Sequence, residues 1–202
     1  MTNQVRIEDI KKIKASIDTI LKKIKSFQII DSQVVPEGIK PIARSVSWLV
    51  EQVIVQNLRA NKIELNLEYV NDPPNNVSQY DCILKYRDDP KEYHVNLKTS
   101  LVSTPTNGRF DVSKGPKLLN WYEENPNLIL IIATIKVDIR DCKLYLADSV
   151  VFNVAWIDSI YYNRANHNLQ SSADGSPRVR SNQEFVRLLK EKVHGAGHTD
   201  HY

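Results

Sequence analysis

Cysteine and glycine are both scarce in this sequence of 202 residues. The only cysteines are Cys82 and Cys142, which excludes a disulfide framework and a four-cysteine zinc site. The six glycines form no GxGxxG or GxxxxGK(S/T) pattern, so we expect no nucleotide cofactor. No apolar run approaches the ~18 residues that span a bilayer, and the first residues do not have the composition of a signal peptide. These absences predict a cytoplasmic protein with no membrane partner.

An excess of either charge is also missing. The chain has 27 basic and 24 acidic side chains, which gives a formal net charge of +3. This charge permits binding to nucleic acid without requiring it, because the distribution of charges matters more than their total. A hydrophobic content of 42% excludes a chain that is disordered throughout, and the length suits one domain with at most a small addition.

The N-terminal segment has an isoleucine at every third or fourth position. The series comprises Ile10, Ile13, Ile17, Ile20 and Ile24. This spacing predicts an amphipathic helix whose isoleucine stripe either packs on the chain's own core or pairs with a second copy of the chain. The helix is therefore a candidate for part of a homodimer interface.

Breaks in the sequence pattern divide the chain into three parts. The helix-breaking segment SQVVPEGIKP ends the first part, and the glycine-containing end HGAGHTDHY forms the last. We assign residues 1–35 to the N-terminal helix, residues 36–193 to the main domain and residues 194–202 to a flexible tail.

Hydrophobic periodicity predicts the elements of the main domain. Helices are expected over three segments: Ile42 to Arg59, Pro116 to Glu124 with Asp111 or Ser113 as its cap, and Asn182 to His194. Strands are expected in NKIELNLEYV, YDCILKY, EYHVNLKTSLV, LILIIATIKVD and KLYLADSVVFNVAWID. Two polar stretches, STPTNGRFDVSKGP and NRANHNLQSSADGSPRVRS, are expected to be loops. This order predicts an α/β fold with a mixed central sheet flanked by helices.

The predicted hairpin brings a carboxylate, an amide and an amine close to one another. Asp81 lies near the start of the strand YDCILKY, and Asn96 and Lys98 alternate with Val95 and Leu97 on the next strand. Since Asn96 and Lys98 are two residues apart, they point to the same face, which Asp81 can reach from the neighbouring strand.

This trio is suited to metal-assisted hydrolysis of a phosphodiester bond. Mg²⁺ takes oxygen ligands and keeps several waters, so few protein groups are needed to hold it. We expect Asp81 to be the main ligand, with the side-chain oxygen of Asn96 and the backbone carbonyl of Leu97 as the others. Lys98 would orient and help to deprotonate the attacking water. On spacing alone the pattern is weak, because Asn-x-Lys on a strand is usually a solvated surface.

The residues YDCILKY and YHVNLKTS resemble the core of the PD-(D/E)xK nuclease superfamily, and specifically type II restriction endonucleases. In these enzymes a hairpin carries an aspartate on one strand and (Glu/Asp/Asn)-x-Lys on the next. The order and spacing of the later segments are similar to enzymes of the Swa type, which cut A/T-rich sites. The similarity covers roughly Ile42 to Lys192, so residues 36–193 would form a nuclease domain with a restriction-endonuclease-like fold.

The resemblance implies a role for each motif residue. Asp81 matches the motif aspartate, Asn96 the second acidic position and Lys98 the motif lysine, and Glu51 lies where relatives place an additional catalytic glutamate. Glu64 and Glu68 are rivals for this last role. The chain lacks the motif proline before Asp81, and the neutral Asn96 removes one negative charge from the metal site. That change should weaken metal binding and puts a two-metal mechanism in doubt.

Double-stranded DNA is the expected partner, and the two polar stretches carry the candidate contacts. Basic side chains would bind phosphates or a narrow minor groove, and Asn and Gln are the side chains that pair with adenine in the major groove. The candidates are Arg109, Lys114, Lys117, Arg164, Asn166, His167, Asn168, Gln170, Arg178 and Arg180. A solvated surface is the alternative interpretation of both stretches.

The resemblance implies a homodimeric type II restriction endonuclease that cleaves both strands of a specific site with Mg²⁺ and leaves 5′-phosphate ends. A modification methylase would accompany it in the cell. Two alternatives stay open: another nuclease of the same fold, such as a repair or junction-resolving enzyme, and a non-catalytic DNA-binding module on the same scaffold.

Overall fold

The computed structural model describes most of the chain, namely residues 5–40, 42–75, 78–103, 110–158, 160–171 and 177–195. Its helices are α1 (Ile7–Ile24), α2 (Ala43–Ala60), α3 (Gly115–Glu124) and α4 (Asn182–His194). Its strands are β1 (Ser26–Gln28), β2 (Leu67–Asn71), β3 (Cys82–Tyr86), β4 (Glu92–Leu101), β5 (Phe110–Lys114), β6 (Ile129–Arg140), β7 (Lys143–Asn153), β8 (Tyr161–Asn163) and β9 (Asn168–Ser171).

A large mixed sheet forms the centre of the fold. Its strand order is β1-β7-β6-β4-β3-β2. β4 and β6 run parallel, and the other neighbours in this sheet pair antiparallel. The predicted α/β class with a mixed sheet flanked by helices is therefore confirmed at this level of detail.

Helices cover both faces of this sheet. On one face, the hydroxyl of Ser16 in α1 lies 2.8 Å from that of Tyr86, whose ring packs against Tyr93. His94 is the next residue along β4, so it lies on the opposite face. There it packs against Trp121 of α3, with ring centroids 6.3 Å apart. The α2 helix packs against β4 and β2.

The isoleucine stripe of α1 is part of the chain's own core. Ile13, Ile17 and Ile20 are each 0% exposed, and α1 packs against β7 and α2. The side chains that were the leading candidates for pairing with a second copy are thus already buried within one chain. The expected dimerisation role of this stripe is corrected accordingly, because a buried apolar side chain has no surface left to offer a partner.

The continuous apolar run 128–138 forms the most buried strand, as its sequence predicts. Its residues Ile131 and Ala133 are 0% exposed, and β6 lies between β4 and β7 with helices on both sides. A strand with neighbours on both edges and both faces has no solvated side, which explains the absence of alternation in its sequence.

The two stretches expected to be polar loops contain strands instead. β5 lies in the first and β9 lies in the second, and β8 ends at the first residue of the second stretch. Together these strands form a sheet with the order β5-β9-β8. β8 and β9 are a hairpin whose turn includes His167 at a positive φ of 58°. Strand pairing here depends on cross-strand hydrogen bonds between polar residues, a feature that hydrophobic periodicity does not detect.

Two boundaries also differ from the expectations. The segment NKIELNLEYV becomes a strand only from Leu67, after a series of turns that ends with Asn66 at φ 56°. Helix α3 has Lys114 at its N-cap and a proline in its first turn, with no side-chain capping bond from Asp111 or Ser113. Helix α4 is confirmed, and residues 196–202 of the predicted tail lie outside the described residues.

No described helix combines the length and the apolar composition required to cross a bilayer.

Candidate active site

Asp81 lies at the open end of the β3–β4 hairpin, which is the end opposite its turn. Its backbone N–H donates to the carbonyl of Val95 at 2.8 Å, and its Oδ2 accepts a hydrogen bond from the N–H of Leu97 at 2.6 Å. The register pairs Cys82 with Val95, so Asp81 directly precedes the ladder. The Asp81 carboxylate therefore takes the place of a backbone acceptor for the Leu97 N–H, and this hydrogen bond holds the carboxylate against β4.

Asn96 and Lys98 lie on one face of β4 and are half-buried, whereas the alternate residues Val95 and Leu97 are buried. The Nδ2 of Asn96 donates to the carbonyl of Gln79 at 2.6 Å. Its Oδ1 is buried and has no hydrogen-bond partner among the residues that the structure describes. Asn96 is thus oriented through its nitrogen and keeps an unused oxygen acceptor.

The backbone of Leu97 adds a second acceptor to this place. The N–H and the C=O of a strand residue point to the same side of the strand. Because the N–H of Leu97 points to Asp81, its carbonyl also lies on the side of Asp81, beyond the last pair of the β3–β4 ladder. The structure thus brings together Asp81 and Leu97, with Asn96 and Lys98 on the neighbouring positions of the same strand.

Glu51 of α2 interacts electrostatically with this group of residues. Burial raises the pKa of the Asp81 carboxyl, and the opposing effects of the Leu97 N–H and the Lys98 ammonium do not fully offset it. The pKa of Glu51 is also raised, first by burial and then by the negative charge of Asp81, against smaller effects of Gln52 and Lys98. A buried carboxyl at Asp81 and a second carboxyl whose pKa is raised by the charge of Asp81 both favour a nearby cation.

The rivals of Glu51 are differently placed. Glu64 forms an ion pair with Lys23 of α1 and its side chain is 54% exposed. Glu68 is exposed on β2. The pKa of Glu51 responds to the charges of both Asp81 and Lys98, so Glu51 is the best candidate for the additional acidic group.

The donor set fits a hard divalent cation held with water. It consists of the Asp81 carboxylate, the unpartnered Oδ1 of Asn96 and the Leu97 carbonyl, all of them oxygens, which are the ligands that Mg²⁺ prefers. Among the described residues, no three His, Cys, Asp or Glu side chains cluster closely enough to hold a metal by themselves. A metal here would therefore keep several water ligands.

Exposed basic side chains lie on the small sheet and on segments that adjoin it in the sequence. Lys114 at the end of β5 donates to the carbonyl of Asn166 in the β8–β9 turn, which fixes that turn against β5. The exposed residues of this region also include Lys117, Arg164, His167 and Arg178. His167 accepts or donates a hydrogen bond of 2.7 Å with the hydroxyl of Tyr162. Arg109 lies outside the described residues.

Asn168 and Gln170 point to the same side of β9, toward one carboxylate. The Nδ2 of Asn168 donates to Asp111 at 3.1 Å and the Nε2 of Gln170 donates to it at 2.7 Å. Both residues are half-buried, and both amide nitrogens are held by the Asp111 carboxylate. A pair of fixed amides on a strand is suited to contact with base edges, and the structure assigns Asp111 as the residue that holds them.

Arg180 does not lie on the surface, which corrects its expected place among the DNA-contacting side chains. It is 6% exposed, and its Nη2 donates to the carbonyl of Ile157 at 2.8 Å while its own carbonyl accepts from Trp156. Burial lowers its pKa, as does the charge of Arg178. In this position Arg180 joins α4 to the core, so it contacts no DNA unless this region rearranges.

Gln79 is a site residue that the sequence pattern did not reveal. It is 5% exposed, its carbonyl accepts from Asn96, and its side-chain Oε1 accepts from Ser113 of β5 at 2.9 Å. Its Nε2 is buried and has no partner within the described part of the chain. Its proximity to Asp81 in the sequence was the one available signal, since glutamine is not a typical residue of a metal site.

The comparisons with known proteins add no family to this description. No protein-family model matches the chain, and no curated protein matches it.

Proposed function

We propose that this chain is a Mg²⁺-dependent endonuclease with a restriction-endonuclease-like fold that hydrolyses phosphodiester bonds of double-stranded DNA. The observation that carries the proposal is the group at the open end of the β3–β4 hairpin. There, the Asp81 carboxylate lies against Leu97, an unpartnered oxygen of Asn96 is buried nearby, and Lys98 lies two positions along the same face. The mixed sheet flanked by helices supports it.

Three oxygens would hold the metal: one of the Asp81 carboxylate, the Oδ1 of Asn96 and the carbonyl of Leu97. Mg²⁺ bound there would polarise a phosphoryl oxygen and lower the pKa of a water ligand. The hydrogen bond from Asn96 Nδ2 to Gln79 orients the amide so that its oxygen remains available. One net negative charge in this set, instead of two, favours a single weakly held metal ion.

Lys98 and Glu51 would complete the chemistry. The Lys98 ammonium would orient the attacking water and offset the negative charge that builds on the phosphate. The negative charge of Asp81 contributes to the raised pKa of Glu51, and a bound cation would offset this repulsion. Hydrolysis with loss of the 3′ oxygen would leave 5′-phosphate and 3′-hydroxyl ends.

The small sheet would bind the DNA. Exposed Lys114, Lys117, Arg164 and Arg178 would contact phosphates, and the fixed amides of β9 would contact bases. A site-specific enzyme of the type II class acts on a palindrome as a two-fold dimer, because the symmetry of the protein matches that of the site. Such a dimer would have to use a surface other than the buried isoleucine stripe of α1.

Digestion of plasmid DNA tests the proposal. The wild-type protein should give discrete fragments with Mg²⁺ and none with EDTA. Asp81→Asn should lower the cleavage rate by about 10²-fold or more, the scale of losing one preorganised charge at a reacting phosphate. Asp138→Asn is the matched control, because Asp138 is also a strand aspartate but pairs with Arg140 on β6, and it should cleave as the wild type does.

The outcomes separate the alternatives. Unchanged cleavage by Asp81→Asn would refute the site. A smear, or cleavage selective for junctions, would indicate another nuclease of the same fold. DNA binding by the wild type without any cleavage would favour a non-catalytic module, an alternative that the neutral Asn96 supports.

A further inference from the structure

Gln79 connects the candidate metal ligand to the small sheet. Its backbone carbonyl accepts from Asn96 Nδ2 at 2.6 Å, and its side-chain Oε1 accepts from the hydroxyl of Ser113 at 2.9 Å. Ser113 belongs to β5, and Asn96 belongs to β4 of the large sheet. One buried residue therefore links the two sheets by hydrogen bonds at both of its ends.

The same strand that holds Gln79 also holds the amides of β9. Asp111 lies two residues before Ser113 on β5 and accepts hydrogen bonds from Asn168 and Gln170. β5 is thus fixed on one side to the strand with the candidate base contacts and on the other side to the segment before Asp81.

We propose that Gln79 is a positioning residue, and that the hydrogen bond from Ser113 fixes Gln79 so that its carbonyl orients Asn96 toward the metal. This inference rests on the proposed function. Rotation of the Asn96 amide would turn its Nδ2, which cannot bind a cation, into the place of its Oδ1. A backbone acceptor at Gln79 prevents this rotation, because it can accept only from the nitrogen end of the amide.

Ser113 offers a clean way to test the positioning role. Ser113→Ala removes the hydrogen bond to Gln79 without touching the site, and Ser113→Thr restores a hydroxyl at a strand position. Ser78→Ala is the matched control, because Ser78 is next to Gln79 in the sequence but its hydroxyl donates to the side chain of Asn75. Thermal unfolding should show that all three variants are folded.

Calorimetric titration with Mg²⁺, in the absence of DNA, measures the effect on the metal site. Ser113→Ala should bind Mg²⁺ about tenfold more weakly than the wild type, the scale for loss of a group that orients a ligand. Ser113→Thr and Ser78→Ala should retain the wild-type affinity. Half-maximal cleavage by Ser113→Ala should shift to a higher Mg²⁺ concentration by the same factor, with unchanged DNA affinity in EDTA.

The side-chain amide signals of Asn96 in an NMR spectrum, recorded without metal and DNA, provide a readout that does not depend on activity. They are assigned by their loss in Asn96→Asp. Ser113→Ala should shift them and Ser78→Ala should not. Unshifted signals, or equal Mg²⁺ affinities of Ser113→Ala and the wild type, would overturn the positioning role. A wild type that binds no Mg²⁺ and cleaves no DNA would instead overturn the proposed function, while the signals would still test the hydrogen-bond link.

Discussion

The β3–β4 hairpin has a polar cluster at each end, and the two clusters are built in opposite ways. The turn cluster comprises Asp9, Asp89, Lys91 and Tyr93. The open-end cluster comprises Glu51, Asp81, Asn96 and Lys98. Both contain carboxylates and a lysine beside the same pair of strands, so the comparison separates the effect of their partners from the effect of their location.

Every charge in the turn cluster has a partner. The Nζ of Lys91 lies 3.1 Å from an oxygen of Asp9 and 3.1 Å from an oxygen of Asp89, and the hydroxyl of Tyr93 donates to Asp89 at 2.6 Å. Burial acts to raise the pKa of Asp89, but the hydrogen bonds from Tyr93 and Lys91 outweigh it and the net shift is downward. This cluster joins α1 to the hairpin and is purely structural in its design.

In the open-end cluster, polar groups remain incompletely paired. The pKa values of Asp81 and Glu51 are raised, and the Oδ1 of Asn96 has no partner among the described residues. Such an arrangement destabilises the folded chain unless another group binds. The comparison teaches that two clusters with similar charged groups can differ in how completely those groups are paired, and that the less completely paired cluster is the better candidate for a site.

Removing the lysine of the turn cluster should have the largest effect on stability. Lys91→Met leaves the buried Asp89 carboxylate without its cation and leaves Asp9 paired with Arg6, so we expect the free energy of unfolding to fall by about 3–5 kcal/mol. Urea unfolding measures this change. The cleavage rate per folded molecule should stay at the wild-type value, because the cluster lies at the other end of the hairpin.

The open end provides the contrast to that variant. Lys98→Met should leave the free energy of unfolding within about 1 kcal/mol of the wild type and should abolish cleavage. If instead Lys91→Met reduced cleavage while Lys98→Met mainly reduced stability, the assignment of the two clusters would be reversed.

Acid should weaken the turn cluster. A carboxyl whose pKa is lowered by folding stabilises the protein fully above its unfolded pKa of about 3.9, and this stabilisation is lost as the pH falls through the lower folded pKa. Since the pKa of Asp89 is lowered, we expect its contribution to disappear below about pH 4. Unfolding curves of the wild type and Asp89→Asn at several pH values test this, and the difference between them should shrink in acid.

Neutralising Glu51 should have the smallest effect on stability and the opposite sign. Glu51→Gln removes the repulsion between Glu51 and Asp81, so the free energy of unfolding in EDTA should rise slightly, within about 0.5 kcal/mol. The cleavage rate should fall by about tenfold or more, since a glutamine cannot carry the charge. A loss of stability in Glu51→Gln would show that Glu51 has a structural partner instead.

Much of the large sheet was predictable because its signals are local. The period of α1 and α2, the unbroken apolar run of β6 and the turn sequence of the β3–β4 hairpin each define an element without distant contacts. The placement of Asp81 beside Asn96 and Lys98 followed from strand periodicity and hairpin pairing.

The remaining features depend on tertiary contacts. The isoleucines of α1 gave no indication of which surface would cover them, and the strands of the small sheet are too polar and short to be recognised alone. Arg180 has the sequence context of a surface cation, yet its side chain is buried and its guanidinium donates to the carbonyl of Ile157. Gln79 contacts Asn96 through its backbone carbonyl, which every residue type has. The residue type at position 79 therefore could not indicate this role.

The parallel pairing of β4 and β6 has a consequence for how this chain can vary. Two adjacent parallel strands require a connection that runs from one end of the sheet to the other, and here that connection contains β5 and α3. The β8–β9 hairpin lies in the connection between β7 and α4. Closing a longer connection costs little additional chain entropy, so the β8–β9 turn can change in length with little effect on the register of the large sheet. The β5–α3 connection has less freedom, because α3 contributes buried core residues and Ser113 of β5 contacts Gln79.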